Sequence, residues 1–295
     1  MSAFSGKTEQ AIRISAVAFF IAIWLAFAAP ELSARPLHRK PSASWKGTSA
    51  GFSISMTPSR LLISSNTGTR VFDSSAIFLL SYKKMRMSPD CDCPGGVTLE
   101  QNYKLLSVVG PLVSIEYEYY IGRLNKEGNE IGAHPSMGRA FFVIDCRNPG
   151  NIVKRLAYEE SRERSSFASC RLDKIFPLGQ LRAALTKSFD VELEQTSKMN
   201  FNQFKDYVSH IKCDYVDPCT DFAFSKVVAD SVIVNVGIGG PGASHATLQE
   251  TPLTLAIPAK YKKEFELARS GRAGFLESNR PSVLRSLSTT LKRAR

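Results

Sequence analysis

The chain has 295 residues, 43% of them hydrophobic and 22% charged, with a formal charge of +11. The surplus is terminal: residues 260–295 hold ten Lys/Arg against three Glu, and residues 1–40 hold five basic against two acidic, leaving 41–259 nearly neutral. Nucleic-acid binding needs its basic stripe on a folded surface among aromatic platforms, so nucleic acid is not expected as a partner.

Lys7 and Arg13 precede an apolar run from Ile14 to Ala29, closed by Ala26-Phe27-Ala28 and Pro30. A positive start, an apolar stretch shorter than the roughly twenty residues of a membrane span, and a small-x-small ending read as a signal peptide over 1–28. An uncleaved inner-membrane anchor through 14–29 is the alternative. The expected location is periplasmic or secreted. Residues 29–50, rich in Pro, Ser and Ala without hydrophobic period, read as a linker.

From Gly51 short β-rich runs follow at Phe52–Met56, Leu61–Ser64, Arg70–Asp73 and Ile77–Tyr82. Two longer strands, Tyr103–Val109 and Leu112–Ile121, flank Gly110-Pro111, a hairpin turn. In the second, Val113, Ile115, Tyr117, Tyr119 and Ile121 alternate with Ser114, Glu116, Glu118 and Tyr120, the pattern of a half-exposed antiparallel sheet. Arg139–Cys146 is a further strand. Leu178, Leu181, Leu185 and Phe189 recur at helical steps, as do Phe201, Phe204, Val208 and Ile211, the latter behind Asn200 as N-cap. Strands return at Asp221–Val227, Ser231–Val236 and Leu253–Ile257, and Pro258 opens a helix that Gly271 stops. The expected fold is α+β: an antiparallel sheet packed on two or three helices over residues 51–270, with 271–295 as a basic tail. In that tail Val283, Leu284, Leu287 and Leu291 stand at helical steps among Arg and Lys. This suits either a solvated, frayed end or an amphipathic helix in weak contact with an anionic membrane.

Six cysteines, Cys91, Cys93, Cys146, Cys170, Cys213 and Cys219, all lie beyond the leader. An even count in an oxidising compartment reads as up to three disulfides. Cys213 and Cys219 are close enough to join locally, and Cys146 and Cys170 bracket a charged segment that a bridge would pin. Cys91 and Cys93 either join each other or pair elsewhere. One Cys-x-Cys without a second pair makes no zinc site, so no metal is expected.

The order of elements from Ser107 to Leu185 resembles a known family. The strand Leu112–Ile121 leads through Gly132-Ala133-His134-Pro135 to a strand ending in Ile144-Asp145. Leu172-Asp173-Lys174-Ile175-Phe176 follows, before the helix of Leu181 and Leu185. This is similar to the C-terminal domain of unknown function of RsiV-type anti-sigma factors and of proteins with PdaC-type deacetylases. The likeness covers roughly 103–267; the long Cys146–Cys170 insertion departs from it. It implies an extracytoplasmic α+β domain without enzymatic activity, and in the anti-sigma members the domain binds lysozyme. A lysozyme-like envelope protein or a peptidoglycan ligand is therefore the expected partner.

No catalytic set is assigned. His134, in what reads as a turn, lacks a nucleophile and an orienting partner in the sequence. Gly237-Ile238-Gly239-Gly240-Pro241-Gly242 matches a dinucleotide-binding string, yet no helix follows it, so no cofactor is expected. The binding residues expected are His134, Pro135, Gly239, Gly240 and His245, on a sheet edge and the loops at 122–138 and 237–250. The alternative function is a hydrolase of wall or surface polymer acting through His134 or His245.

Overall fold

The computed structural model describes residues 43–87, 95–149, 170–213, 216–238 and 249–292, without the side chains of 84, 86, 87 and 132–136. The leader, Cys91, Cys93, Gly239, Gly240 and His245 lie outside the described residues. Among the described residues no helix is long and apolar enough to cross a membrane.

The first sheet is an antiparallel meander of β1 (Trp45–Ser49), β2 (Phe52–Thr57), β3 (Arg60–Ser65) and β4 (Arg70–Asp73). Its first strand occupies sequence expected to be linker. The β1–β2 turn has Ala50 at φ 47° and Gly51 at φ 84°, the two left-handed residues whose twist suits a two-residue hairpin. Residues 77–82 are not the strand expected. They belong to helix α1 (Ser74–Met87). Asp73 accepts the Ser75 amide at the helix start and is gripped by both nitrogens of the Arg60 fork, at 3.0 and 2.6 Å. Phe78, Tyr82 and Met85 are spaced for one helical face, and that face packs on Val97, Leu99 and Ile121.

The central sheet holds β5 (Gly96–Val109), β6 (Leu112–Leu124) and β7 (Glu130–Asp145), with Val109 opposite Leu112 across the expected Gly110-Pro111 turn. The C-terminal residues complete it. β11 (Gly274–Phe275) and β12 (Thr289–Lys292) both pair with the free side of β5. A frayed basic tail is thus not what forms. Leu284 and Leu287, around α7 (Ser282–Arg285), are buried, with Val283 and Leu291 packed alongside, so the apolar stripe offered for a membrane is used inside the fold. Thr289 and Thr290 also bond the Thr57 and Pro58 carbonyls at 2.9 and 3.0 Å.

One face of the central sheet meets the first sheet in a core that includes Met56, Ile63, Phe72, Tyr103, Ile115, Phe142, Ile144 and Phe275. The second core joins Val109, Leu112 and Val143 to a third sheet and to helices. That sheet has the order β10-β9-β8, from β8 (Phe222–Val228), β9 (Ser231–Ile238) and β10 (Gln249–Ala256). Its helices are α2 (Leu172–Ile175), α3 (Leu178–Ser188), α4 (Leu193–Thr196), α5 (Phe201–Lys212) and α6 (Lys262–Arg269). Asn200 caps α5 as expected: it and Gln203 exchange side-chain to backbone bonds, both at 3.0 Å. The fold is α+β, with three antiparallel sheets.

Strand β8 lies against β5, β6 and β7. This overturns the expectation of a solvated polar face for the first half of β6, where Ser114 is fully buried and Glu116 is 4% exposed, while Glu118 and Tyr120 stay half-buried. Ser114 Oγ takes the Ser107 hydroxyl at 2.7 Å and the Phe224 amide at 3.3 Å.

The disulfide expectation is also corrected. Cys146, Cys170, Cys213 and Cys219 are free, buried thiols. Cys146 packs with Phe142 and Ile144 in the first core, and Cys170 with Val143 in the second. These two sulfurs therefore pack in different cores. The fold is held by its cores.

Candidate functional site

Glu116 is the polar centre of the molecule. The alternation of β6 turns it towards β8, and a buried carboxylate needs cations. The hairpin register puts Lys104 directly opposite it, with the ammonium 2.9 Å away, and Arg139 of β7 makes the second, shorter contact. Burial works to raise the Glu116 carboxyl, but the hydrogen bonds from Arg139 and Lys104 outweigh it and hold it below the ordinary range. Arg139 also lies 3.6 Å from Glu118, its cross-strand neighbour, and 3.6 Å from Glu250 at the start of β10.

Glu250 has the opposite character. Loss of water and the nearby Glu277 raise its pKa, and Arg139 offsets them only in part. Asn235 of β9 donates to both of these carboxylates, at 2.8 Å to Glu250 and 3.4 Å to Glu277. Arg280, buried behind Glu277, gives one nitrogen to the Leu284 carbonyl and leaves its Nε without a partner.

This cluster borders the outer edge of β7. The Phe141 amide points away from β6 to Asp221 Oδ1 at 2.9 Å, and the Val143 carbonyl points the same way to the Cys170 amide at 3.1 Å. Main-chain groups two residues apart in a strand face the same side. The amides and carbonyls of Met137 and Arg139 therefore also face away from β6. Among the described residues no strand pairs with them and no hydrogen bond satisfies them. Among the described residues the edge is covered at 141–143 and open at 137–139.

His134 and Pro135 are in this same strand, not in a turn. Ile121 pairs with Ser136 and Arg123 with Ile131, so Gly132–Pro135 stand against Gly122 alone. The Gly-Ala-His-Pro run is a wide bulge, a device that bends a strand edge. Its backbone is placed; its side chains lie outside the described residues. Gly239, Gly240 and His245 lie outside them too, but the ends of their segment are fixed by the pairing of Ile238 with Gln249. Glu250, next in the chain, is the residue that reaches Arg139. The stem of one expected loop thus touches the strand that carries the other.

The residues that form the cluster, Glu116, Arg139, Asn235, Glu250 and Glu277, were not among those expected from the sequence. Even the Lys104–Glu116 pair was hidden: Lys104 lies six residues before Gly110 and Glu116 five after Pro111, and only the bulge between Leu105 and Ser107 brings them opposite each other. The hydroxyls nearest along these strands, Ser107 and Ser114, are fully buried and bonded to each other. Among the described residues no group of three or more His, Cys, Asp or Glu is disposed to hold a metal ion. The arrangement offers main-chain hydrogen bonds and charge, which serve recognition. Comparison with protein-family models, with curated proteins and with solved structures gave no match.

Proposed function

We propose that the chain is an exported, non-catalytic binding module that takes an extended protein segment as an added strand on the outer edge of β7. The observation that carries this reading is the open row of main-chain groups at Met137 and Arg139. Natural sheets cover or blunt such edges unless a partner uses them, and strand addition is an established mode of peptide recognition. The bulge at Gly132–Pro135 bends one end of the open stretch, and Glu250 borders it. The apolar leader supports an envelope setting. The likeness of 103–267 to the RsiV-type domain supports a lysozyme-like protein as the first partner to try, with peptidoglycan fragments as the second.

Proline separates the edge from the fold. At Met137 it removes an amide that faces outward, a position where edge strands tolerate proline; at Ala140, paired with Tyr117, it removes a ladder bond. Immobilised wild-type protein is expected to retain lysozyme or a specific protein from an envelope extract. Met137→Pro loses that capture with little change in its melting curve, whereas Ala140→Pro unfolds. Capture that survives Met137→Pro, or no specific retention of lysozyme, envelope proteins or peptidoglycan fragments, refutes the proposal.

A further inference from the structure

We infer that the strand docking on β7 carries a lysine or arginine beside Arg139, where its charge meets Glu250 and Glu277; this rests on the reading of β7 as a docking edge. Among the described residues the cluster is short of cations. Glu116, Glu118, Glu250 and Glu277 share Lys104, Arg139 and Arg280, and Glu116 alone takes Lys104 together with the closest contact of Arg139. What remains of Arg139 is divided between Glu118 and Glu250 at 3.6 Å each. Among the described residues Glu277 makes no ion pair within 4.0 Å. Its neighbour is the neutral amide of Asn235, already bonded to Glu250 at 2.8 Å. Arg280 is buried and spends one nitrogen on a carbonyl. Burial, and then the nearby Glu277, hold the pKa of Glu250 up, and Arg139 offsets them only in part.

The geometry of strand addition decides where the missing charge enters. A residue opposite Arg139 on an added antiparallel strand shares the face of the guanidinium, and that face carries Glu118 and Glu250. An acidic residue there would add a further carboxylate to the group, whereas a basic one completes it. The preference runs against the field of the whole chain, whose net charge is +11 and would by itself favour acidic ligands. A cationic preference is therefore local in origin, which makes it testable by single substitutions.

The experiment titrates the full chain with two labelled strand-forming peptides, one alternating valine with lysine and one alternating valine with glutamate. The lysine peptide is expected to bind at least about tenfold more tightly, as close interfacial charges can provide. That preference falls towards parity in Glu250→Gln and Glu277→Gln, whose folding is checked by circular dichroism, and Met137→Pro binds neither peptide. Equal binding of both peptides, abolished by Met137→Pro, overturns the charge assignment and leaves the docking edge standing. A preference that persists in both glutamine variants also overturns the assignment. Binding of neither peptide, or binding insensitive to Met137→Pro, overturns the edge as well.

Discussion

Leu284→Ala asks whether the C-terminal residues belong to the core. A frayed basic tail gives a cost near zero, within the roughly 0.5 kcal/mol typical of surface substitutions. In the structure Leu284 is fully buried, in the core that holds Phe72, Tyr103, Phe275 and Leu287. Returning most of a leucine side chain to water loses about 2 kcal/mol, and the cavity left between two sheets raises the total to about 2–5 kcal/mol. Urea unfolding of the full chain measures it, with Trp45 as a fluorescent probe. Trp45 meets Phe275 edge-on with ring centroids 5.5 Å apart, so it reports on the start of the C-terminal segment. At a denaturant slope of about 2–3 kcal/mol per molar, the midpoint falls by about 1 M or more. Ser286→Ala, at an exposed position two residues on, serves as the control and leaves it in place. Equal midpoints for the two variants would show that Leu284 is not a core residue, and the pairing of β12 with β5 would lose its support.

Acid should weaken the fold through Glu116 and Asp73, whose carboxyls are held low by ion pairs and hydrogen bonds that outweigh burial. Their contribution is complete above the unfolded carboxylate values near 4 and is lost as pH falls through the lower folded values. A urea midpoint that is flat below pH 4 in the wild type would contradict this. Glu116→Gln should cost about 3 kcal/mol at most at neutral pH, since Lys104 is partly exposed and can return to water. At the alkaline end Tyr103 and Tyr117, raised by burial and then by neighbouring tyrosines, stabilise the fold below their unfolded value near 10, and this is lost as pH rises above it. Tyr117→Phe should remove part of that limb in an unfolding titration; an unchanged limb would assign it elsewhere. Burial pushes Cys146, Cys170 and Cys213 up to about 12, and Cys219 higher still. Iodoacetamide should label none of the four until the chain unfolds, and a non-reducing mass map should find each as a thiol. A bridge between Cys146 and any of the other three would refute the cores as described, since Cys146 packs in a different one.

What the sequence disclosed was local. Gly110-Pro111 between two alternating runs specifies a hairpin, and Asn200 before a three-four apolar spacing specifies a capped helix; both need only neighbours in the chain. Ile77–Tyr82 misled because six apolar-rich residues fit a strand or a helix equally well, and the deciding contacts, Asp73 at the helix start and Met85 beyond the window, lie outside it. Ser114 and Glu116 looked like a solvated face because polarity alone cannot distinguish water from a buried partner. The partners come from β5, β7 and β8. The C-terminal residues misled for the same reason: Leu284 and Leu287 fit an amphipathic helix until the open side of β5 is known to await a strand.

The cysteines show how far one inference can lean on another. An export leader suggested an oxidising compartment, and the compartment suggested bridges. Cys146 and Cys170 are nonetheless thiols, buried in different cores. The thiols described thus give export no support, and the case for it rests on residues 1–29 alone. The proposed docking edge is equally independent of it. Among the described residues Met137 and Arg139 present open main-chain groups because no further strand pairs with β7, and the few cations around Glu250 follow from which side chains separate segments bring together. Moving the protein to another compartment would change the partners it meets, but not the edge geometry and local charge from which strand docking is proposed.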